Sequence, residues 1–191
     1  FFNLFRYITF RAGGAFFTAL IFGFVFGRPL INVLRRKQGK GQPIRDDGPE
    51  AHSAKSGTPT MGGLLILSAL VFSTVMWARL DNHYVIIVLF VTICFGGIGF
   101  LDDYLKVSRQ NPKGVSSKIR LLSGFFVAAV AAYFISIMHP EALQNRLALP
   151  VFKNLLIDLG FLFVPFAIIV IVGSANAVNL TDGLDGLAIM P

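Results

Sequence analysis

The sequence predicts an all-α, polytopic membrane protein with five transmembrane helices. Of its 191 residues, 54% are hydrophobic and only 14% are charged, whereas a soluble domain carries about 25% charged residues. An α-helix needs roughly 20 apolar residues to span a bilayer. Five apolar runs approach that length, and they cover residues 12–34, 61–78, 84–101, 121–138 and 159–178. We therefore treat residues 1–191 as one integral membrane domain.

Local features refine these helices and the segments between them. Arg28-Pro29 near the end of the first run predicts a kink or a snorkelling arginine. Cys94 is the single cysteine, which rules out an intrachain disulfide. Segment 139–158 carries His139-Pro140 and Leu149-Pro150, and its pattern is typical of either a short hairpin or an interfacial helix.

The basic residues are concentrated in alternate loops. Loops 35–60 and 102–120 hold six and five Lys or Arg residues, whereas the segments on the opposite side hold five in all. The positive-inside rule puts the two basic loops in the cytoplasm and the start of the chain outside. Five spans then return the chain to the cytoplasm near Asn179. Topology and anionic ligands explain the net charge of +7 better than nucleic acid does.

The first polar motif fills the end of loop 35–60. Lys55 is a point charge suited to a phosphate, and Thr60 adds a hydroxyl. Gly62-Gly63 opens the next helix, whose N-terminal amides favour anions. The alternative is a polar turn with a helix cap. His52 has no second histidine at ligand spacing, so we expect a structural hydrogen bond there rather than a metal.

The second motif places two adjacent carboxylates, Asp102 and Asp103, at the predicted end of the third span. Mg²⁺ prefers oxygen ligands and usually takes one or two carboxylates together with substrate phosphates. Lys106 lies three to four residues further on, on the same helical face as one of the two aspartates, and Lys118 closes the loop. The alternative is a purely structural acidic helix end that is salt-bridged to Lys106.

The third motif lies at the end of the fifth span. Polar residues recur there at every third position: Asn176, Asn179, Asp182 and Asp185. On a helix the last three lie within a roughly 120° arc, and such a face is costly at the end of a membrane span. Helix capping alone needs one such residue rather than four. Together with the other two motifs, this face indicates a site for a metal-bound diphosphate such as a sugar nucleotide, with a lipid phosphate as its membrane partner.

All three motifs resemble one family. Segments 52–63 (His-Ser-Ala-Lys-Ser-Gly-Thr-Pro-Thr-Met-Gly-Gly), 99–106 (Gly-Phe-Leu-Asp-Asp-Tyr-Leu-Lys) and 176–188 are similar to signatures of the phospho-N-acetylmuramoyl-pentapeptide transferases. These form a branch of the polyprenyl-phosphate N-acetylhexosamine-1-phosphate transferase superfamily. The aspartate pair and the Asn/Asp helix are common to the superfamily. Thr-Pro-Thr-Met-Gly-Gly and Lys106 point to the muramoyl branch.

The resemblance implies a function and a set of residues. The expected reaction transfers phospho-MurNAc-pentapeptide from its UDP carrier to undecaprenyl phosphate, giving lipid I and UMP for peptidoglycan synthesis, with Mg²⁺ as cofactor. Asp102 and Asp103 match the family's catalytic pair and are the expected metal ligands. The substrate-binding positions are Lys55, Thr60, Lys106, Lys118, Asn179, Asp182 and Asp185. The family also implies a homodimer of about ten-helix chains in the bacterial cytoplasmic membrane, so this chain is expected to be an inactive N-terminal part.

Several alternatives stay open. Asp102 is expected to act as a base on the lipid phosphate, or else one of the pair forms a covalent aspartyl phosphate. A sister transferase that uses UDP-GlcNAc would share most of these motifs. A transporter would place its acids near span centres, whereas the acids here lie at span ends. A non-catalytic membrane scaffold leaves the Asn/Asp face unexplained.

Overall fold

A computed structural model of the protein describes residues 2–38, 60–110, 114–141, 143–149, 152 and 155–181. These residues confirm the all-α class. They form the α-helices α1 (Ile8–Gln38), α2 (Gly63–Trp77), α3 (His83–Arg109), α4 (Ser117–Met138) and α5 (Phe163–Thr181). Short 3₁₀ helices at Phe2–Arg6 and Gly160–Leu162 precede α1 and α5.

Four helical segments in the described part of the chain are long and apolar enough to cross a membrane: Ile8–Gln38, His83–Arg109, Ser117–Met138 and Gly160–Asn179. Helix α2 is also apolar, but its 15 residues extend only about 22 Å, against a hydrocarbon core of about 30 Å. It is shorter than the predicted run 61–78 because the backbone leaves the helical region at both ends. Met61 has a left-handed φ of 71°, and Ala78 is extended with ψ of 162°.

Two helices continue beyond their apolar runs into segments that the sequence analysis assigned to loops. Helix α1 ends at Gln38 and carries three basic residues in its last turn, and α3 ends at Arg109. Basic side chains at a helix C-terminus interact favourably with the helix dipole. Asp102 and Asp103 therefore lie on α3, about two turns before its end, and not in the predicted loop 102–120.

Helices α1 and α2 pack closely in the first compact unit, which covers Phe1–Ser117. The Trp77 indole Nε1 donates to Thr18 Oγ1 at 2.9 Å, and its ring lies over Gly14, where an added Cβ would meet ring carbons at 2.7 Å. The Phe22 and Phe72 rings lie 5.5 Å apart. These contacts hold α2 along α1 although α2 is short.

The turn between α2 and α3 is capped and exposed. Asn82 Oδ1 accepts a hydrogen bond from the Tyr84 amide at 2.9 Å, which caps α3. Arg79 and Asp81 form an ion pair at 2.5 Å with 67% and 63% of their side chains exposed. The hydrogen bond from Arg79 holds the pKa of Asp81 below its usual value. An exposed pair of this kind contributes little to stability.

The second compact unit, Lys118–Pro191, contains a β-hairpin between α4 and α5. Strands β1 (Arg146–Ala148) and β2 (Leu156–Asp158) pair antiparallel with Leu147 opposite Ile157. Asn145, with φ of 56°, accepts hydrogen bonds from Ser136 Oγ at 2.7 Å and from the Leu159 amide at 3.0 Å. The structure therefore resolves the alternative for segment 139–158 in favour of the hairpin.

Candidate active site

Asp102 is the more buried member of the carboxylate pair. Only 7% of the residue is exposed, and both of its oxygens are engaged. Oδ2 lies 2.6 Å from Lys106 Nζ, and Oδ1 accepts the Val115 amide at 2.7 Å. A buried carboxylate needs such partners because the cost of removing its charge from water is large. Asp102 is thus held in one orientation by a side chain of its own helix and by the backbone of the following loop.

Asp103 is more accessible than Asp102. Its side chain is 32% exposed, and Oδ1 lies 3.6 Å from the same Lys106 Nζ. Oδ2 accepts a hydrogen bond from Thr60 Oγ1 at 3.2 Å. One ammonium therefore faces two neighbouring carboxylates, at i+4 and i+3 along α3. This shared ion pair is also what the purely structural alternative predicts, so the pair alone does not assign a function.

The contact between Thr60 and Asp103 joins two of the sequence motifs. The two residues are 43 positions apart, and Thr60 lies immediately before the turn that starts α2. A hydrogen bond across this separation is a tertiary contact and not one made within a helix end. The structure therefore brings a hydroxyl, an ammonium and two carboxylates together at the end of α3.

Gly114 is a site residue that the sequence analysis missed. Its φ is +54°, and a Cβ at this position would meet Asp102 Oδ1 and would lie 2.8 Å from Lys106 Cε. Only a residue without a side chain allows the loop to approach closely enough for the Val115 amide to reach Asp102. A glycine in a polar loop predicts a turn, but it carries no signal that the turn covers a carboxylate.

We expect Gly114→Ala to destabilise the protein and to displace Asp102. The left-handed backbone costs an L-residue about 1–2 kcal/mol, and the new methyl group adds its clash with Asp102 and Lys106. Gly160→Ala is the matched control, because Gly160 has a φ of +48° with nothing within 4 Å of an added Cβ. Thermal unfolding in detergent should show a larger loss for Gly114→Ala. Equal losses would mean that only backbone strain matters.

The other predicted residues either belong to the second compact unit or lie outside the described residues. Lys118 in the first turn of α4 and Asn179 near the end of α5 are exposed and belong to the second compact unit. The Asn176 side chain donates to the Val172 carbonyl of its own helix at 2.8 Å. Helix α5 ends at Thr181. Lys55, His52, Asp182 and Asp185 lie outside the described residues.

The carboxylate pair fits part of a magnesium site. Among the residues described by the structure, no group of three or more His, Cys, Asp or Glu is placed to hold a metal ion. Mg²⁺ does not need such a group, since it commonly binds one or two carboxylates and completes its shell with water and substrate phosphates. The exposed edge of Asp103 offers oxygens of the required kind.

Comparisons with known proteins identify the family of the chain. The family model described as glycosyl transferase family 4 matches residues 85–191, and the chain belongs to this family. It is a multi-pass membrane protein, as its apolar helices indicate. A second model, the phospho-N-acetylmuramoyl-pentapeptide-transferase signature 1, matches residues 55–67. The two matches include the acidic pair and Thr60.

Several curated relatives of the chain carry the same name. The chain is 75% identical to the phospho-N-acetylmuramoyl-pentapeptide-transferase of Ruegeria sp. (strain TM1040), over the whole chain and 53% of that relative. It is 74% identical to the protein of the same name from Ruegeria pomeroyi, over 99% of the chain and 52% of the relative. The Dinoroseobacter shibae protein of that name is 68% identical, over the whole chain and 53% of the relative. The chain thus spans about half the length of these relatives.

Proposed function

We propose that the protein, at its natural full length, transfers phospho-MurNAc-pentapeptide from its UDP carrier to undecaprenyl phosphate, forming lipid I and UMP. The observation that carries this proposal is the 75% identity to a phospho-N-acetylmuramoyl-pentapeptide-transferase along the entire chain. The cluster of Asp102, Asp103, Lys106 and Thr60 supports it, because such a cluster suits a metal-bound diphosphate.

In the proposed reaction an oxygen of the lipid phosphate attacks the phosphorus next to the sugar. The bond from that phosphorus to the bridging oxygen of the diphosphate breaks, and UMP leaves. Bound Mg²⁺, held by Asp103 with or without Asp102, would withdraw charge from the diphosphate. Lys106 adds positive charge beside both carboxylates and stabilises charge that develops on the leaving group.

The two carboxylates are proposed to have different tasks. From the sequence alone, Asp102 is expected to act as the base, with a covalent aspartyl phosphate as the alternative. Asp102 is buried and lies 2.6 Å from Lys106 Nζ, whereas the Asp103 side chain is 32% exposed and lies 3.6 Å from it. We therefore favour Asp103 as the carboxylate that meets metal or substrate. Asp102 then keeps Lys106 in place.

The remaining assignments are proposals of the same kind. Lys55, Lys118, Asn179, Asp182 and Asp185 would bind the nucleotide sugar, and the site would face the cytoplasm of a bacterial inner membrane. The protein would act as a homodimer. Basic residues in the last turns of α1 and α3 support the orientation, because the positive-inside rule puts these helix ends in the cytoplasm.

A substrate comparison tests the proposed function. Membranes containing the protein at its natural full length should form lipid I and release UMP from UDP-MurNAc-pentapeptide and undecaprenyl phosphate. Chelation should abolish the reaction, and added Mg²⁺ should restore it. Turnover with UDP-GlcNAc alone would identify the sister transferase instead. No UMP release from either nucleotide sugar would contradict a transferase role.

A further inference from the structure

Gln38 is a buried polar residue in addition to those of the candidate site. It is the last residue of α1 and is only 7% exposed. A neutral amide at the polar end of a membrane helix has no need to be buried, and burying one is costly unless its donors and acceptors are paired. The partners of this side chain therefore indicate why it lies where it does.

The side-chain amide of Gln38 makes two hydrogen bonds with the backbone of Thr60. Its Nε2 donates to the Thr60 carbonyl at 3.0 Å, and its Oε1 accepts the Thr60 amide at 2.8 Å. The residues are 22 positions apart. This two-bond pairing fixes both the position and the rotation of one peptide segment, as a neighbouring strand would do.

The segment held by Gln38 is strained at its next residue. Met61 has a φ of 71°, a conformation that is uncommon for residues other than glycine and that persists only where the surroundings enforce it. Gln38 Nε2 also lies 3.5 Å from Met61 Sδ. The turn directs the chain into α2, and the Thr60 hydroxyl from the same segment donates to Asp103.

We propose that Gln38 is a positioning residue of the active site, which fixes the Thr60 backbone so that the Thr60 hydroxyl reaches Asp103. The inference rests on the proposed transferase function. Gln38 acts through Thr60 and not on the substrate, because its amide is occupied by the Thr60–Met61 segment. The hydrogen bond from Thr60 then holds the more accessible carboxylate in a single rotamer.

A double-mutant cycle tests this role in the protein at its natural full length. Gln38→Ala removes both backbone hydrogen bonds, and Thr60→Val removes only the hydroxyl. We expect each to lower kcat roughly tenfold, the effect of losing about one to two net hydrogen bonds. If Gln38 acts through the hydroxyl, the double variant should be no slower than Thr60→Val. Losses that multiply would overturn the inference.

Hydrogen exchange supplies a readout that does not depend on turnover. Gln38→Ala should expose the Thr60 amide, with exchange faster by about tenfold or more. Gln38→Met keeps nearly the same volume without the amide group and should give the same result if the alanine variant folds poorly. Gln144→Ala is the matched control, since it removes a glutamine that donates to the Ser136 carbonyl in the second unit.

The two readouts separate the positioning role from the proposed function. Unchanged exchange at Thr60 in both Gln38 variants would overturn the positioning role whatever the turnover. Faster exchange together with no UMP release by the unsubstituted protein would contradict the transferase proposal and would retain Gln38 as the residue that holds Thr60.

Discussion

Asp103→Asn should lower the rate of lipid I formation by at least about a hundredfold, the usual effect of removing a charged group from a reacting centre. Asparagine has nearly the same shape and can still accept the Thr60 hydrogen bond. It lacks the negative charge that a metal ligand or base requires and that faces Lys106. The measurement is UMP release at saturating substrate, with protein amount normalised after purification.

Asp102→Asn should also lose most turnover, but for a second reason. The amide can keep the Val115 hydrogen bond on its oxygen, whereas the position 2.6 Å from Lys106 Nζ loses its charge. Lys106 can then pair more tightly with Asp103, which leaves Asp103 less available to metal or substrate. Asp103→Asn should therefore lose activity with little change in thermal stability, and Asp102→Asn should lose both.

Asp81→Asn is the matched control for these two variants. Asp81 is also a carboxylate paired with a basic residue, but its pair with Arg79 is exposed at the turn between α2 and α3. Its turnover and stability should stay close to those of the unsubstituted protein. Near-normal turnover of Asp102→Asn or Asp103→Asn would remove the residue concerned from the catalytic role.

Lys106→Met should be the most destabilising single change in the described cluster. The variant leaves Asp102 buried without its ammonium partner, and breaking a buried pair in this way typically costs about 3–5 kcal/mol. Asp102 and Asp103 would also repel each other across one peptide bond. We expect a large fall in the thermal midpoint in detergent and no measurable transferase activity.

Two further variants isolate the reason for that loss. Lys106→Arg keeps the charge and should recover much of the stability, although the planar guanidinium cannot reproduce a point charge that faces both carboxylates. Arg79→Met removes the cation of the exposed pair and should change the midpoint little. If Arg79→Met and Lys106→Met were equally stable, burial of Asp102 would not be the cause.

The environments of these two ion pairs differ by burial, which the sequence does not reveal. The side chains of Lys106 and Asp102 are 18% and 10% exposed, compared with 67% and 63% for Arg79 and Asp81. The spacing of Lys106 from the acids predicts contact on a helix. It does not predict that the loop containing Gly114 covers Asp102 from the other side.

The ends of the helices illustrate a similar limit. Hydropathy locates the apolar runs but stops at residue 101, whereas α3 continues to Arg109. The additional turns are stabilised by side-chain pairs at i+3 and i+4, which hydropathy does not count. In α2 the predicted run is longer than the helix, because the left-handed backbone of Met61 delays the start of the helix. Segment 139–158 was compatible with two structures because prolines and scattered apolar residues suit both.

The amino-acid sequence alone is enough to predict the membrane class, the apolar runs and a helical face that Lys106 shares with one of the two aspartates. These properties follow from composition and from spacings of a few residues. The contacts of Thr60 with Asp103 and of Gln38 with Thr60, across 43 and 22 positions, are visible only in the folded chain. Contacts of that range leave no periodic signal, because they depend on how α1, α2 and α3 pack and not on the local chain.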